Sequence, residues 1–105
     1  MNIALYHSYY NNKHLSDVQT EMTKRGAPVI RAIWSECYGM WLAIEGCHRL
    51  RAAQNLGLMP IIKDVSSQKT VTYQMDGRSV RVQMADLIEE LQDNAPRTTI
   101  LTFED

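Results

Sequence analysis

The sequence predicts a single mixed α/β domain, and three observations carry that prediction. Segments rich in β-branched residues alternate along the chain with segments whose apolar residues recur at helical spacing. Two of the former, residues 29–34 and 40–44, are apolar at almost every position, which is typical of central strands covered on both faces. The 105 residues are the length of one domain, and 45% apolar with 22% charged residues is ordinary globular usage. We therefore expect residues 1–105 to form one domain around one mixed sheet.

The start of the chain predicts a weak strand followed by a helix. Residues 2–10 alternate only weakly between apolar and polar side chains. Ser16 and Gln19 have the spacing of a capping box, so we expect the helix to begin at Ser16. Gly26 can adopt a left-handed cap and Pro28 cannot continue a helix, so the helix is expected to end there.

The next segments predict a hairpin, a second helix and a further strand. Residues 29–34 and 40–44 are separated by a short polar segment that contains a glycine, as in a hairpin turn. The period of the apolar residues changes abruptly at Gly46, and helical spacing continues to Gly57, where a carboxyl-terminal cap belongs. Residues 59–62 have the composition of a strand.

The last third of the chain, residues 70–103, has the pattern of a unit appended to a core of residues 15–65. Asp76-Gly77 is a strong hairpin-turn signal between two valine-containing segments. Apolar residues from Met84 to Leu91 form the clearest helical stripe in the sequence. We expect a closing strand at residues 98–103, where β-branched residues are frequent.

The charge and hydropathy patterns restrict the possible partners. A net charge of −1 gives no attraction of the whole chain to nucleic acid. Such a contact needs a local basic patch, for which the candidates are Lys24, Arg25, Arg31, Arg49 and Arg51. The longest apolar run, residues 40–44, is far shorter than the roughly 20 residues that cross a bilayer. We therefore expect a cytoplasmic protein without a membrane segment.

The two cysteines, Cys37 and Cys47, are too few for a disulfide framework. They also lack partner ligands at the spacing of a zinc site. Small buried apolar positions are the expected environment of both, above all of Cys37.

The junction between the second strand of the hairpin and the second helix predicts an anion site. The first-turn amides of a helix have no internal partner and carry a partial positive charge. His48, Arg49 and Arg51 add cations at this end, which costs stability unless an anion offsets them. Gly46 lets an anion approach the backbone closely. The alternative is that the arginines are solvated or pair with glutamates, Glu45 among them.

Residues 15–65 resemble the amino-terminal domain of ParB and its relatives, the ParB-like nucleases, free serine kinases and sulfiredoxins. The shared pattern is a helix, a glycine, a proline before a strand, a second strand, and an acidic residue followed by glycine, a basic pair and an alanine-rich helix. The matching residues are Gly26, Pro28, Glu45, Gly46, His48, Arg49, Ala52, Ala53, Gly57, Pro60 and Ile61.

The resemblance implies a nucleotide site with specified residues. In the family, the glycine and the amides that follow it hold nucleotide phosphates and the basic residues clamp them. Those roles fall on Gly46, Cys47, His48 and Arg49, and Arg51 matches a second arginine common in ParB proteins. The implied cofactor is a nucleoside triphosphate, CTP or ATP, with or without magnesium. About 40 residues follow the shared core and none read as a helix-turn-helix, so the implied protein is a minimal version of the kind found in phages and mobile elements.

Two enzymatic alternatives are carried by the same junction. A ParB-like nuclease or phosphotransferase would use Glu45 as a metal ligand or general base, with Glu36 or Asp64 converging on it. A sulfiredoxin-like reductase would use Cys47 as its nucleophile, because Gly-Cys-His-Arg matches that family. The phosphate-binding lysine of sulfiredoxins is replaced here by Asp17, which argues against the reductase. Of these interpretations we favour a regulatory or accessory nucleotide-binding module that acts in DNA-related processes.

A ligand-free interaction scaffold is a further alternative. Its binding face would hold Trp34, Tyr38 and Trp41, since aromatic residues are enriched at interfaces. For the two tryptophans we favour core packing instead. His7 and His14 lie in or beside a segment rich in tyrosine and asparagine, which either covers the phosphate site or is a loosely packed terminus.

Overall fold

The helices and strands follow the predicted order, and the described residues are 1–75 and 77–104 of a computed structural model. The strands are β1 (Asn2–Ala4), β2 (Val29–Ser35), β3 (Met40–Ala43), β4 (Ile61–Asp64), β5 (Thr70–Met75), β6 (Arg78–Gln83) and β7 (Ile100–Thr102). The helices are α1 (Asn12–Arg25), α2 (Cys47–Leu56) and α3 (Met84–Asn94), and α3 continues into a 3-10 turn at Ala95–Arg97. The radius of gyration is 13.3 Å, the value of one compact domain of this length.

The main sheet is mixed and has five strands in the order β4-β2-β3-β1-β7. β2 pairs antiparallel with β3 and parallel with β4, while β1 pairs parallel with β3 and antiparallel with β7. The expectation of a single sheet was wrong, because β5 and β6 form a separate antiparallel pair. This hairpin packs its buried Val71 and Tyr73 against one face of the main sheet instead of extending an edge.

Both faces of the main sheet are covered, as the apolar character of β2 and β3 predicted. One core lies between the sheet and the two helices α1 and α2, and it contains Ile3, Ile30, Leu50 and Ala53. The other lies between the sheet, the β5–β6 hairpin and α3, and it contains Ile33, Leu42, Val65 and Leu87. The buried side chains of β2 and β3 pack in one core or the other. This packing fixes the position of the junction between β3 and α2.

Helix α1 begins one turn earlier than the capping box predicted. Its N-cap is Asn11, whose side-chain oxygen accepts a 2.9 Å hydrogen bond from the amide of His14. Asparagine caps a helix as well as serine does, so Ser16 lies inside the helix, where its carbonyl accepts from the Thr20 hydroxyl. The carboxyl-terminal stop at Gly26 is confirmed. No helix in the described part of the chain is long and apolar enough to span a membrane.

Two side chains expected in the core are exposed. Trp34 is 44% exposed, although it lies on the same face of β2 as the buried Ile30 and Ala32. It contacts Trp41 edge-on, with ring centroids 5.2 Å apart, and Trp41 is half-buried against the helix-side core. Cys37 is exposed, because it lies in the turn between β2 and β3 and not in a strand. Cys47 is buried as expected.

Candidate functional site

Strand β3 runs into helix α2 through Gly46, which has a left-handed backbone with φ 77° and ψ 31°. A residue with a β-carbon is strained in this conformation. Packing adds a second restriction, because a β-carbon at Gly46 would lie 2.5 Å from Cδ1 of the fully buried Ile30. The turn therefore requires glycine both for its conformation and for its close approach to the core.

The first turn of α2 presents backbone amides without partners. The first hydrogen bond of the helix runs from the amide of Leu50 to the carbonyl of Gly46, at 2.8 Å. Within the described residues, the amides of Cys47, His48 and Arg49 donate to no protein acceptor, and the first turn holds no acidic side chain. These donors add to the positive end of the helix dipole, so this turn has the character of an anion site.

An open cavity of about 800 Å³ lies over this turn. It collects five of the six predicted site residues, Glu45, Gly46, Cys47, His48 and Arg49. The remaining lining residues described are Tyr6, His7, His14, Val18, Ile44, Gln74, Met75 and Gly77. All three histidines of the chain lie on this cavity, so of the two interpretations of His7 and His14 the structure matches the one that places them over the site.

The hairpin side of the cavity was not predicted. Gln74, Met75 and Gly77 reach it from the end of β5 and the turn that follows, whereas Asp76, the other half of the turn signal, lies outside the described residues. No local pattern could have revealed this, because the approach depends on how the β5–β6 hairpin packs on the main sheet.

Glu45 is held by two arginines. Its carboxylate accepts hydrogen bonds from the backbone amide and the guanidinium of Arg31, at 3.1 and 3.2 Å, and Nη2 of Arg49 lies 3.7 Å away. Burial raises the pKa of Glu45, but the hydrogen bonds and positive charge of Arg31, together with the charge of Arg49, outweigh burial and lower the pKa overall. The carboxylate is therefore ionised and already paired at neutral pH.

The cavity wall holds Glu45 but neither Glu36 nor Asp64, the carboxylates expected to converge on it for metal-dependent catalysis. Among the residues that the structure describes, no three His, Cys, Asp or Glu side chains form a group that could hold a metal ion. Asp64 accepts instead from the amide of Ser66, at 2.9 Å. The geometry thus gives Glu45 a role in positioning Arg31 and Arg49.

Arg49 lies across the junction. Its Nη1 atom donates to the carbonyl of Val29 at 3.1 Å, and its side chain is 42% exposed at the cavity wall. A guanidinium has five N–H donors, so this tether leaves Arg49 with donors for a ligand. The contacts with Val29 and Glu45 fix the orientation of the Arg49 guanidinium. Less side-chain conformational entropy is therefore lost when this guanidinium donates to an anion.

Arg51 lies away from the cavity, which separates it from the other predicted site residues. Its Nη2 atom donates to the carbonyl of Ser8 at 3.0 Å and lies 3.4 Å from the Thr99 hydroxyl. The guanidinium also stacks on the ring of Tyr10, 4.3 Å from the ring centroid. Arg51 therefore ties α2 to the segment that precedes α1, and its interactions are structural.

Replacement of Arg51 by alanine is expected to lower the free energy of unfolding by about 1 to 2 kcal/mol, the scale of a partly exposed charged hydrogen bond with a cation–π contact. Ligand affinity should change less than in an Arg49 variant. Urea unfolding measures the loss. Arg25→Ala is the matched control, because its ion pair with Glu21 is exposed and contributes under about 1 kcal/mol. Equal stability of the two variants would contradict the structural role of Arg51.

The thiol of Cys47 is buried in the helix-side core and is 6% exposed. A nucleophile that attacks a modified protein needs an accessible sulfur atom, so this placement does not favour the sulfiredoxin-like reaction. Asp17, which occupies the position of the family's lysine, is exposed on α1 and is not part of the cavity wall. The backbone amide of Cys47, in contrast, has no protein acceptor among the described residues.

His48 is neutral in this arrangement. Its Nε2 atom accepts a 3.0 Å hydrogen bond from the amide of Asn11, and its ring contacts the ring of His14 edge-on. Burial first, and then the charges of His14, His7 and Arg51, lower the pKa of His48 from its ordinary value of 6.5. The proton is therefore bound more weakly in the folded chain than in the unfolded chain.

This pKa difference predicts a stability change with a definite sign. The unfolded state takes up a proton at His48 before the folded state does, so the free energy of unfolding should fall as the pH falls below 6.5. Glu45 acts in a lower window, because its stabilisation is lost as the pH falls below 4.5 through its lowered pKa. Unfolding curves between about pH 5 and about pH 7 isolate the histidine effect. His48→Gln should flatten them, and an unchanged slope would contradict the assignment.

No family model, curated protein or solved structure matches the chain. The resemblance of residues 15–65 to the ParB and sulfiredoxin families stays a prediction, and the functional argument depends on the geometry around Gly46.

Proposed function

We propose that this domain binds a nucleotide at the start of α2 and acts as a ParB-like regulatory or accessory module. The observation that carries the proposal is the first turn of α2, where three amides without protein partners among the described residues adjoin a left-handed glycine and a tethered arginine. Phosphate groups fit such a turn, because its donors and its dipole both favour negative charge.

The size and lining of the cavity favour a nucleotide over a single phosphate ion. About 800 Å³ lies in the range of sites for small organic molecules and far exceeds what one phosphate fills. The part of the cavity wall beside the basic turn includes apolar surface from Tyr6, Val18, Ile44 and Met75. A ligand with a charged end and a flat, partly apolar end, such as CTP or ATP, matches this combination.

Isothermal titration with ATP, CTP and GTP, each with and without magnesium, tests the proposal. We expect one saturable site for at least one nucleotide, and weaker binding of inorganic triphosphate, which lacks the base and sugar. Tighter binding of triphosphate would show that only the anion is recognised. The absence of binding for all nucleotides would contradict the proposal. A short DNA duplex in the same series tests a nucleic-acid partner.

The geometry favours binding over catalysis. A nuclease or phosphotransferase of the predicted kind needs a carboxylate that is free to bind metal or accept a proton. Glu45 is the carboxylate on the described cavity wall, and it is already paired with Arg31 and Arg49. Glu45→Gln should therefore disturb the position of the two arginines and not abolish a chemical step.

Replacement of Cys47 by serine is expected to leave nucleotide affinity within about twofold of the wild type, because serine keeps the backbone amide that contacts phosphate. Calorimetry measures the affinity, and incubation with ATP and a hyperoxidised peroxiredoxin measures repair. Repair by the wild-type protein that is lost in Cys47→Ser would overturn this assignment in favour of the sulfiredoxin-like reaction.

A further inference from the structure

The first turns of α1 and α2 are joined by the side chain of His48. Its Nε2 atom accepts a hydrogen bond from the amide of Asn11 at 3.0 Å. Asn11 is also the N-cap of α1, through its bond to the amide of His14. An imidazole nitrogen that accepts a hydrogen bond carries no proton, so this contact exists only while His48 is neutral.

The titratable and charged groups that face His48 are basic residues from three parts of the fold. His14 lies on α1, with ring centroids 4.4 Å apart, His7 lies on the segment before α1, and Arg51 lies on α2. The cavity's described carboxylate, Glu45, is held by two arginines. Protonation of His48 therefore adds a positive charge to a basic site, and a bound anion would supply the missing counter-charge.

We propose that His48 is a proton-operated latch, in which uptake of a proton from solvent at Nε2 breaks the bond to Asn11 and turns the imidazole from an acceptor into a donor for an anion. The inference rests on the proposed anion site. After protonation, the Nε2 proton and the Asn11 amide proton face each other, and two donors cannot bond. The protonated Nε2 atom can then donate to an anion in the cavity that His48 lines.

Coupling between proton and anion follows by linkage. If the anion prefers the protonated form of His48, its binding raises the pKa of His48 and takes up a proton. By the same linkage the affinity for the anion rises as the pH falls, by at most about tenfold per pH unit for one coupled proton. An anion that contacts only the amides of α2 would show neither effect.

Nuclear magnetic resonance tests the latch without any ligand. We expect the imidazole signals of His48 and the amide signal of Asn11 to change with one shared midpoint, below the ordinary value of 6.5. His48→Gln should remove the change at Asn11, because the glutamine side-chain oxygen can replace Nε2 as acceptor but does not titrate. His14→Gln is the matched control, and in it Asn11 should still follow His48. If the amide signal of Asn11 did not change with pH while His48 titrates, the latch would be wrong.

Sulfate is the anion probe, because its charge is constant between about pH 5 and about pH 8, where histidine titrates. Added sulfate should raise the shared midpoint of His48 and Asn11, and calorimetry in buffers of different ionisation enthalpy should show proton uptake. Binding of sulfate without proton uptake would overturn the coupling but leave the proposed function intact. A failure of both sulfate and nucleotides to bind, with the ligand-free midpoint still shared, would instead contradict the proposed function.

Discussion

Replacement of Arg49 by alanine is expected to weaken nucleotide binding by about 1.5 to 3 kcal/mol, which is roughly a 10- to 150-fold loss of affinity. This is the scale of a charge-assisted hydrogen bond that is removed from an otherwise intact site. Its tether to Val29 holds the guanidinium at the cavity wall, so its loss removes a fixed donor. Fold stability should fall by less than about 1 kcal/mol, because the side chain is partly exposed and Arg31 still pairs Glu45.

Two variants make the Arg49 measurement specific. Arg25→Ala removes the same charge from a position off the cavity wall and should change affinity little. Arg49→Lys keeps the charge but loses the planar fork, so it should bind with an affinity between those of the wild type and Arg49→Ala. Equal affinity in the wild type and Arg49→Ala would reassign Arg49 to the solvated surface.

The strand-glycine-helix junction could be predicted because local physics determines it. The change of apolar period at Gly46 and the cap at Gly57 are both set by residues within a few positions. The structure confirms both boundaries of α2. The basic first turn was visible for the same reason, because the order of residues alone places His48 and Arg49 at a helix start.

The predictions that were wrong depended on competition between neighbouring signals or on distant packing. Asn11 and Ser16 are both good helix caps five residues apart, and the capping-box spacing of Ser16 and Gln19 favours the cap that the fold does not use. Core packing was expected for Trp34 from its hydrophobicity, but its exposure depends on how far the buried cores extend along β2, which the sequence of β2 does not contain. The β5–β6 hairpin forms a separate sheet because it buries Tyr73 against a face of the main sheet. The Asp76-Gly77 turn pattern predicts the hairpin but not where the hairpin packs.

The role of Arg51 shows how a resemblance can group residues that the fold separates. In sequence Arg51 is two residues from Arg49, but on a helix such a step turns the side chain by about 200°, to the far side. Arg49 therefore reaches the cavity while Arg51 reaches Ser8 and Tyr10. The period of the helix is by itself enough to place the two arginines on opposite sides of α2.

Replacement of Gly46 by alanine is expected to have the largest effect on stability, a loss of about 2 to 5 kcal/mol of unfolding free energy. A left-handed backbone costs a residue with a β-carbon about 1 to 2 kcal/mol, and overpacking of a close-packed core adds about 1 to 3 kcal/mol. The second part arises because the new methyl group would lie 2.5 Å from Cδ1 of Ile30, which is fully buried and has no free space to move into.

Gly57→Ala is the matched control, since Gly57 has a similar φ of 70° but nothing within 4 Å of the added carbon. This variant should therefore lose only the backbone part of the stability. Urea unfolding of the two variants separates strain from overpacking, and equal losses would show that Ile30 adjusts without cost. The added carbon would also lie 3.4 Å from Nη2 of Arg49, so any Gly46→Ala protein that folds should bind nucleotide more weakly than the control does.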